Sequence, residues 1–212
     1  MQELLIGKRR LTGFSGEWAA KNLGNIADFF KGKGLSKSLI SASGNQKCIL
    51  YGELFTSYGR VISNVKSRTL SDEGVKSEFG DILIPGSTTT VGADLAIASA
   101  LLEENVLLGG DIIVVRGKPK MFDPVFMANY LTYARRQEIA ERTQGITIIH
   151  LYSKDLADLP ITLPDLNEQV AIAAFLSDMD AEITALERKQ EKTRALKQGM
   201  MQELLTGRTR LV

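Results

Sequence analysis

Between Pro164 and Gly207 the chain has no proline and a single glycine, Gly199, in a stretch dominated by Ala, Leu, Glu, Lys, Gln and Arg. These are strong helix formers. Asp165 followed three residues later by Glu168 can form a capping box, and Pro164 blocks extension backwards. The stretch predicts one helix over 165–206, roughly 60 Å long at ~1.5 Å per residue. Ile172, Leu176, Met179, Ile183 and Leu186 recur at alternating steps of four and three, the spacing of a coiled-coil seam. The same register continues through Gln190, Thr193, Lys197, Met200 and Leu204, so the seam has a polar middle between two apolar clamps. Ile172, Leu176, Met179, Ile183, Leu186, Met200 and Leu204 are the expected helix–helix contacts. A rod of that length exceeds the diameter of a domain of about 150 residues. Its length argues against folding back on its own domain and for packing on a partner helix. Gly207 supplies the stop.

The second constraint is a repeat. Residues 1–11 read MQELLIGKRRL and residues 201–211 read MQELLTGRTRL, identical at 8 of 11 positions with an offset of 200. That spacing is far longer than a solenoid unit of ~20–50 residues. It reads as one period of a larger tandem arrangement, with the cut falling inside the repeated element. A duplication made in cloning should be perfect, and the mismatches Ile6/Thr206, Lys8/Arg208 and Arg9/Thr209 argue against one. The expected organisation is a coda over 1–12, a globular domain over 13–164, the long helix over 165–206 and a tail over 207–212.

Composition excludes several classes. The chain has one cysteine, Cys48, and one histidine, His150. That leaves no disulfide framework, thiolate metal cluster or His-rich zinc site within a single chain. No apolar run approaches the ~20 residues needed to span a bilayer, and the first residues lack the apolar core of a signal peptide. The expectation is a soluble, cytoplasmic chain with no membrane partner. Formal charge is only +1, but residues 13–70 carry net +5 and residues 71–165 net −6. That segmentation suits a face for a polyanion beside surfaces for protein partners, and equally suits charge scattered over solvated faces.

Residues 13–164 read as a mixed domain, making the fold class α+β. Short β-type runs appear at Cys48–Leu50, Asp81–Pro85, Asp111–Arg116 and Ile146–Leu151. Phe126–Arg142 reads as a helix, and Leu95–Glu104 is ambiguous. Catalytic motifs are missing: there is no P-loop, no GxSxG and no HExxH. Asp123-Pro124-Val125-Phe126 approaches an adenine-methyltransferase signature but lacks its second proline, and reads as a loop and helix start. His150 reads as a structural residue and Cys48 as a small core residue.

What remains is loop chemistry suited to DNA. Lys31, Lys33 and Lys37 stand on a flexible glycine loop suited to phosphates. Ser87, Thr88, Thr89 and Thr90 follow a strand and a Pro-Gly turn, offering hydroxyls to phosphates or base edges. Tyr58 with Arg60, and Lys66 with Arg68, extend the basic surface. Arg116 and Lys118 end another strand in positive charge. Gln144 and Thr147 flank a turn, with an amide able to pair with adenine. Each stretch alone reads better as a solvated loop; their joint placement at strand ends points to DNA.

The order Trp18, Leu23-Gly24-Asn25-Ile26, Gly32-x-Gly34-x-Ser36-Lys37, Gly52-Glu53-Leu54-Phe55-Thr56-x-Tyr58-Gly59, Gly80-Asp81-Ile82-Leu83-Ile84-Pro85 and Gly109-Gly110-Asp111-Ile112 resembles a type I restriction-modification specificity subunit. So do Gln144-Gly145-x-Thr147, Leu159-Pro160-Ile161-x-Leu163-Pro164, Glu168-Gln169-x-x-Ile172, Phe175-Leu176 and the run from Leu196 to Gly207. The resemblance covers essentially the whole chain. It implies a non-catalytic subunit that reads DNA through target recognition domains separated by long helices. The implied partners are double-stranded DNA, modification subunits that methylate adenine with S-adenosylmethionine, and restriction subunits that use ATP and Mg. No cofactor is implied on this chain itself. The usual member carries two recognition domains and two helices, whereas this sequence carries one of each. It therefore looks like the C-terminal half of a full subunit, starting at an internal methionine. A pair of such halves, joined antiparallel through helices 166–206, would read two identical inverted half-sites. The other expectation is an assembly or interference module that occupies modification subunits without productive reading.

Overall fold

The computed structural model describes residues 2–208, so the tail expected over 207–212 is described only at Gly207 and Arg208 and its remainder lies outside the described residues. Among the described residues, those up to 173 form one compact unit and those from 174 a second.

The first unit is built on a five-stranded sheet in the order Ala27–Lys31, Ile112–Gly117, Asp81–Pro85, Ser99–Leu101, Val61–Ile62. Its neighbours run antiparallel except the parallel outer pair Val61–Ile62 and Ser99–Leu101. Every residue of Asp81–Pro85 is buried, as are Ile112–Val115. A central strand covered on both faces reads as an unbroken apolar run, which is why DILIP and DIIVVR stand out in the sequence. A smaller four-stranded sheet orders Arg68–Thr69, Gln46–Ile49, Leu107–Leu108 and Val75–Lys76. Ile49, Leu54, Ile62, Leu83, Leu101, Leu108, Ile112 and Val114 form one buried cluster joining the two sheets. Each such side chain contributes about 1.5–3 kcal/mol when fully buried. Cys48 sits at 0% exposure in a neighbouring cluster, and burial pushes its thiol pKa up to about 11.

Two ribbons complete the unit. Ala19–Asn22 pairs antiparallel with Pro160–Leu163, which closes the sheet domain by bringing both of its ends side by side. Ile149–His150 pairs antiparallel with Ser87–Thr88.

Three local expectations change. The helix expected over Phe126–Arg142 is an α-helix at Pro124–Asn129, a π turn at Tyr130–Ala134 and a second α-helix at Arg136–Glu141. Asp123 caps the first, accepting the Phe126 N–H at 2.8 Å, with Pro124 in the first turn. Tyr130 then stacks on Phe126 at 5.7 Å and accepts the Thr162 N–H at 3.0 Å, while Thr132 Oγ1 accepts the Ala98 N–H at 2.9 Å. These long-range partners lie outside the helix's own sequence, and the wider turn serves them at the expense of regular α geometry. The run Ile146–Leu151 is strand only at Ile149–His150. Gln144 and His150 exchange backbone hydrogen bonds at 2.8 and 2.7 Å, making the segment between them a tight turn. Gly145 there has φ +127, and a Cβ would lie 2.0 Å from the Ile148 carbonyl, so only glycine fits. The capping box at the long helix is half made. Asp165 Oδ1 accepts the Glu168 N–H at 3.0 Å, but the Glu168 carboxylate goes to Arg10 instead of back to the cap. Gln169 next to it accepts the Asp123 N–H and donates to the Pro164 carbonyl, both at 3.0 Å. The ambiguous segment resolves into a 3₁₀ turn at Gly92–Leu95 and the strand Ser99–Leu101.

The long helix runs unbroken over Leu166–Leu205, 40 residues. Ile172 and Leu176 are buried, whereas Met179, Ile183, Leu186 and Met200 are exposed and Leu204 is half-buried. Among the described residues no helix is long and apolar enough to cross a membrane.

Candidate nucleic-acid interface

The glycine loop after strand Ala27–Lys31 is tied down, not flexible. The Gly32 N–H donates to the Ile112 carbonyl at 2.8 Å, that of Lys33 to Leu108 at 3.1 Å, and that of Gly110 to Gly34 at 3.1 Å. A Cβ on Gly32 would lie 2.0 Å from the Gly109 carbonyl, so glycine is there for close backbone approach. Gly34 and Leu35 follow with φ +65 and +56. Leu35 accepts that unfavourable backbone because its side chain is buried beside Cys48 and Leu107. The result is a rigid platform from which the exposed Lys31, Lys33 and Lys37 project. Lys31 meets Asp111 at 3.1 Å across an exposed pair, a contact worth at most about 1 kcal/mol.

These lysines border a cleft of about 730 Å³ whose far wall is Tyr51, Gly52, Glu53 and Thr56. Tyr51, Gly52, Thr56 and Asp111 also line a second cleft of about 410 Å³, shared with Phe55, Ser87, Thr88, Thr89, Ile148 and His150. Phe55 and Thr88 in turn line a third, of about 370 Å³, with Tyr58, Arg60, Thr90, Asp94 and Arg136. The three clefts form one furrowed face divided by the short helix Glu53–Thr56. The strand pairing Ser87–Thr88 with Ile149–His150 sets the Gln144–His150 turn at its margin, with Gln144 and Thr147 exposed and Gln144 Nε2 donating to Asp155 at 3.2 Å. Within the face, Thr88 and Thr90 share a 2.8 Å hydroxyl contact, and Ser87 Oγ donates to Asp111 at 3.2 Å. Arg60 lies 5.9 Å from the Tyr133 ring centroid. Tyr58 is half-buried, its hydroxyl accepting the Lys66 N–H at 3.0 Å, and burial pushes its phenol pKa up.

Four sequence-expected residues lie elsewhere. Arg68 is exposed on the edge strand beside Lys47, in the smaller sheet, and Lys66 lies in the exposed segment leading to it. Lys118 donates to the Asn25 carbonyl at 3.3 Å and stands 4.0 Å from Asp28. Arg116 is drawn into the fold. Its Nε and Nη2 bind Asp81 at 2.9 and 2.8 Å, Nη1 binds Glu78 at 2.6 Å, and the guanidinium lies 4.7 Å from the Phe30 ring centroid. The hydrogen bonds that Arg116 donates to the Asp81 carboxylate raise its pKa, and Asp81 is 1% exposed. Arg116→Ala strands that buried carboxylate and should cost about 2–4 kcal/mol in chemical denaturation. Lys33→Ala, on the open loop, should stay within ~0.5 kcal/mol of the parent.

Tyr51, Phe55, Ile148 and Arg136 belong to the same face and were not singled out by sequence, and His150, which reads from sequence as a structural residue, lines it as well. The signal was available in part: Tyr51 and Phe55 stand on either side of Gly52, in and beside a helix of only four residues, too short to bury large aromatic rings.

A sheet domain thus displays a basic, hydroxyl-rich and aromatic face, and a 40-residue helix follows it in sequence. Residues 15–195 match the family described as type I restriction modification DNA specificity domain. The chain belongs to that family. It is 25% identical over 190 residues to the type I restriction enzyme MjaVIII specificity subunit of Methanocaldococcus jannaschii, covering 90% of this chain and 42% of that protein. The same organism's putative type I restriction enzyme MjaX specificity subunit is 30% identical over 104 residues, covering 49% of this chain and 24% of the other. Among solved structures, the type I restriction-modification S subunit from M. genitalium superposes with a TM-score of 0.61 at 22% identity, over 91% of this chain and 47% of that one. The HsdS subunit from Thermoanaerobacter tengcongensis gives 0.62 at 18%, over 95% and 49%. A structure described as the basis of complex assembly and conformational transition of the type I R-M system gives 0.67 at 20%, over 95% and 50%. The fold is shared with these structures. This chain spans half or less of each relative.

Proposed function

We propose that the chain is the DNA-reading component of a type I restriction-modification assembly and reads one half-site per copy. The observation that carries this reading is the continuity of the face. Lys31, Lys33 and Lys37 border one end, Ser87 to Thr90 the middle and Tyr58 with Arg60 the other. Lysines on a fixed loop hold phosphates and set register, while hydroxyls, aromatic rings and the Gln144 amide meet base edges. The chain makes and breaks no bonds itself. Modification subunits supply adenine methylation with S-adenosylmethionine, and restriction subunits supply ATP- and Mg-dependent work. The cytoplasm is where these partners and DNA meet.

Two copies pair antiparallel through Met179, Ile183, Leu186, Met200 and Leu204; Ile172 and Leu176, expected in the same seam, are already buried in their own chain and are not offered to a partner. The pairing supplies a second helix for a seam whose exposed members otherwise face water. The second reading, an assembly or interference module, draws on the chain's spanning 42% of the MjaVIII relative. Mixing the chain with modification subunits and tritiated S-adenosylmethionine separates the two. Sequence-dependent methyl transfer to duplex DNA supports a reader; bound modification subunits with no transfer support interference.

A further inference from the structure

The segment that the C-terminal end repeats is already seated on the domain. Leu4 and Leu5, on the short helix Gln2–Leu5, are 6% and 0% exposed, and this helix packs against the Tyr130–Ala134 turn. Gly7 then turns the chain with φ +71, so close to Trp18 that a Cβ would lie 3.1 Å from the ring. Arg10 ends the segment with Nε and Nη2 at 2.5 and 2.6 Å from the two carboxylate oxygens of Glu168. Its guanidinium also lies 5.7 Å from the Trp18 ring centroid and donates to the Gly16 carbonyl at 2.8 Å. Glu168 is 1% exposed, so this arginine is what neutralises a buried carboxylate. The socket therefore selects two adjacent leucines, a glycine in the left-handed region two residues on, and an arginine three beyond that.

Leu204, Leu205, Gly207 and Arg210 present that order at the same spacing. The described backbone matches as well. Thr206 N–H donates to Gln202 as Ile6 does to Gln2, Gly207 donates to Leu204 as Gly7 does to Leu4, and both glycines have φ +71. The three mismatches fall at Ile6, Lys8 and Arg9, all exposed in the seated copy, while its buried or contacting positions are unchanged. Yet Leu205 is 82% exposed where Leu5 is 0%.

We propose that this socket is a docking site for residues 202–211 of a second copy of the chain, and that residues 2–10 are the resident competitor. Glu168 stands in the first turn of the long helix, where an antiparallel partner brings its last turn. Delivery rests on the pairing proposed above; the match between segment and socket does not.

The test uses the full chain and reads self-association by sedimentation, with circular dichroism as the fold check. Arg210→Ala removes the incoming guanidinium and should loosen self-association about tenfold. Arg10→Ala weakens the competitor and should tighten it, so the two arginines act with opposite signs. Glu168→Ala should make self-association insensitive to Arg210→Ala. Self-association that Arg210→Ala leaves unchanged overturns the docking while leaving helix pairing in place. Equal loosening by both arginine variants overturns the competition. If Arg10→Ala does not fold, the Arg210 and Glu168 arms decide. A chain monomeric in every form overturns docking and pairing together, and sequence-dependent methyl transfer by modification subunits mixed with that chain would still leave DNA reading standing.

Discussion

Replacing Lys31, Lys33 and Lys37 together by alanine should lower the duplex affinity of the assembled complex roughly ten- to a hundredfold near physiological salt. The same variant should flatten the dependence of log K on log salt by about 2–3, since each neutralised phosphate contributes a slope of ~0.9. The loss should fall equally on cognate and unrelated sequences, because phosphate contacts carry position and not sequence. The fold should be unaffected: these ammonium groups are exposed, and the loop is held by the buried Leu35 and by backbone bonds from Gly32, Lys33 and Gly110. Arg116→Ala is the control with the reverse signature, lowering stability through Asp81 with little change in salt slope.

The second large effect lies on the long helix. Ile183 and Leu186 are 48% and 58% exposed, so Ile183→Asp with Leu186→Asp should leave the melting of the recognition domain unchanged. In a pair of helices the change removes four apolar side chains from the seam. At about 1.5–3 kcal/mol for each fully buried side chain, a half share of that weakens pairing by roughly a hundredfold to ten-thousandfold. Sedimentation of the parent and variant checks this directly. An unchanged dimer would place the contact elsewhere.

The elements legible in the sequence are those whose causes are local. Pro164, Asp165 and the proline-free run after them mark the long helix, and the apolar DILIP marks a strand covered on both faces. The π turn at Tyr130–Ala134 was not legible, because its cause is Thr132 reaching Ala98 and Tyr130 reaching Thr162. Gln144 to Thr147 already reads as a turn, but Ile146–Leu151 also reads as a strand because Ile146, Ile148 and Ile149 are β-branched; the strand is only Ile149–His150, and Ile146 is 97% exposed. The face was legible in its charges and hydroxyls, since these stand beside glycines at strand ends. The helix Glu53–Thr56 that divides it, and Tyr51 beside that helix, were legible only in part, because the clefts are completed by residues distant in sequence, 31–37 on one side and 87–90 on the other. Arg116 shows the complementary failure. A strand-end arginine looks free until Asp81, 35 residues earlier, arrives beside it. Glycine carries the same ambiguity: Gly32 suggests mobility in sequence and turns out to mark a backbone contact.

A passive reader that pairs two-fold, as proposed, would impose the symmetry of the pair on its target. Methylome sequencing of cells that carry this chain with its modification subunits tests that most directly. The expected result is methylated adenine on both strands of two identical half-sites, inverted and held at one fixed spacing. Methylation at two unlike half-sites, or none at any defined sequence, would contradict it.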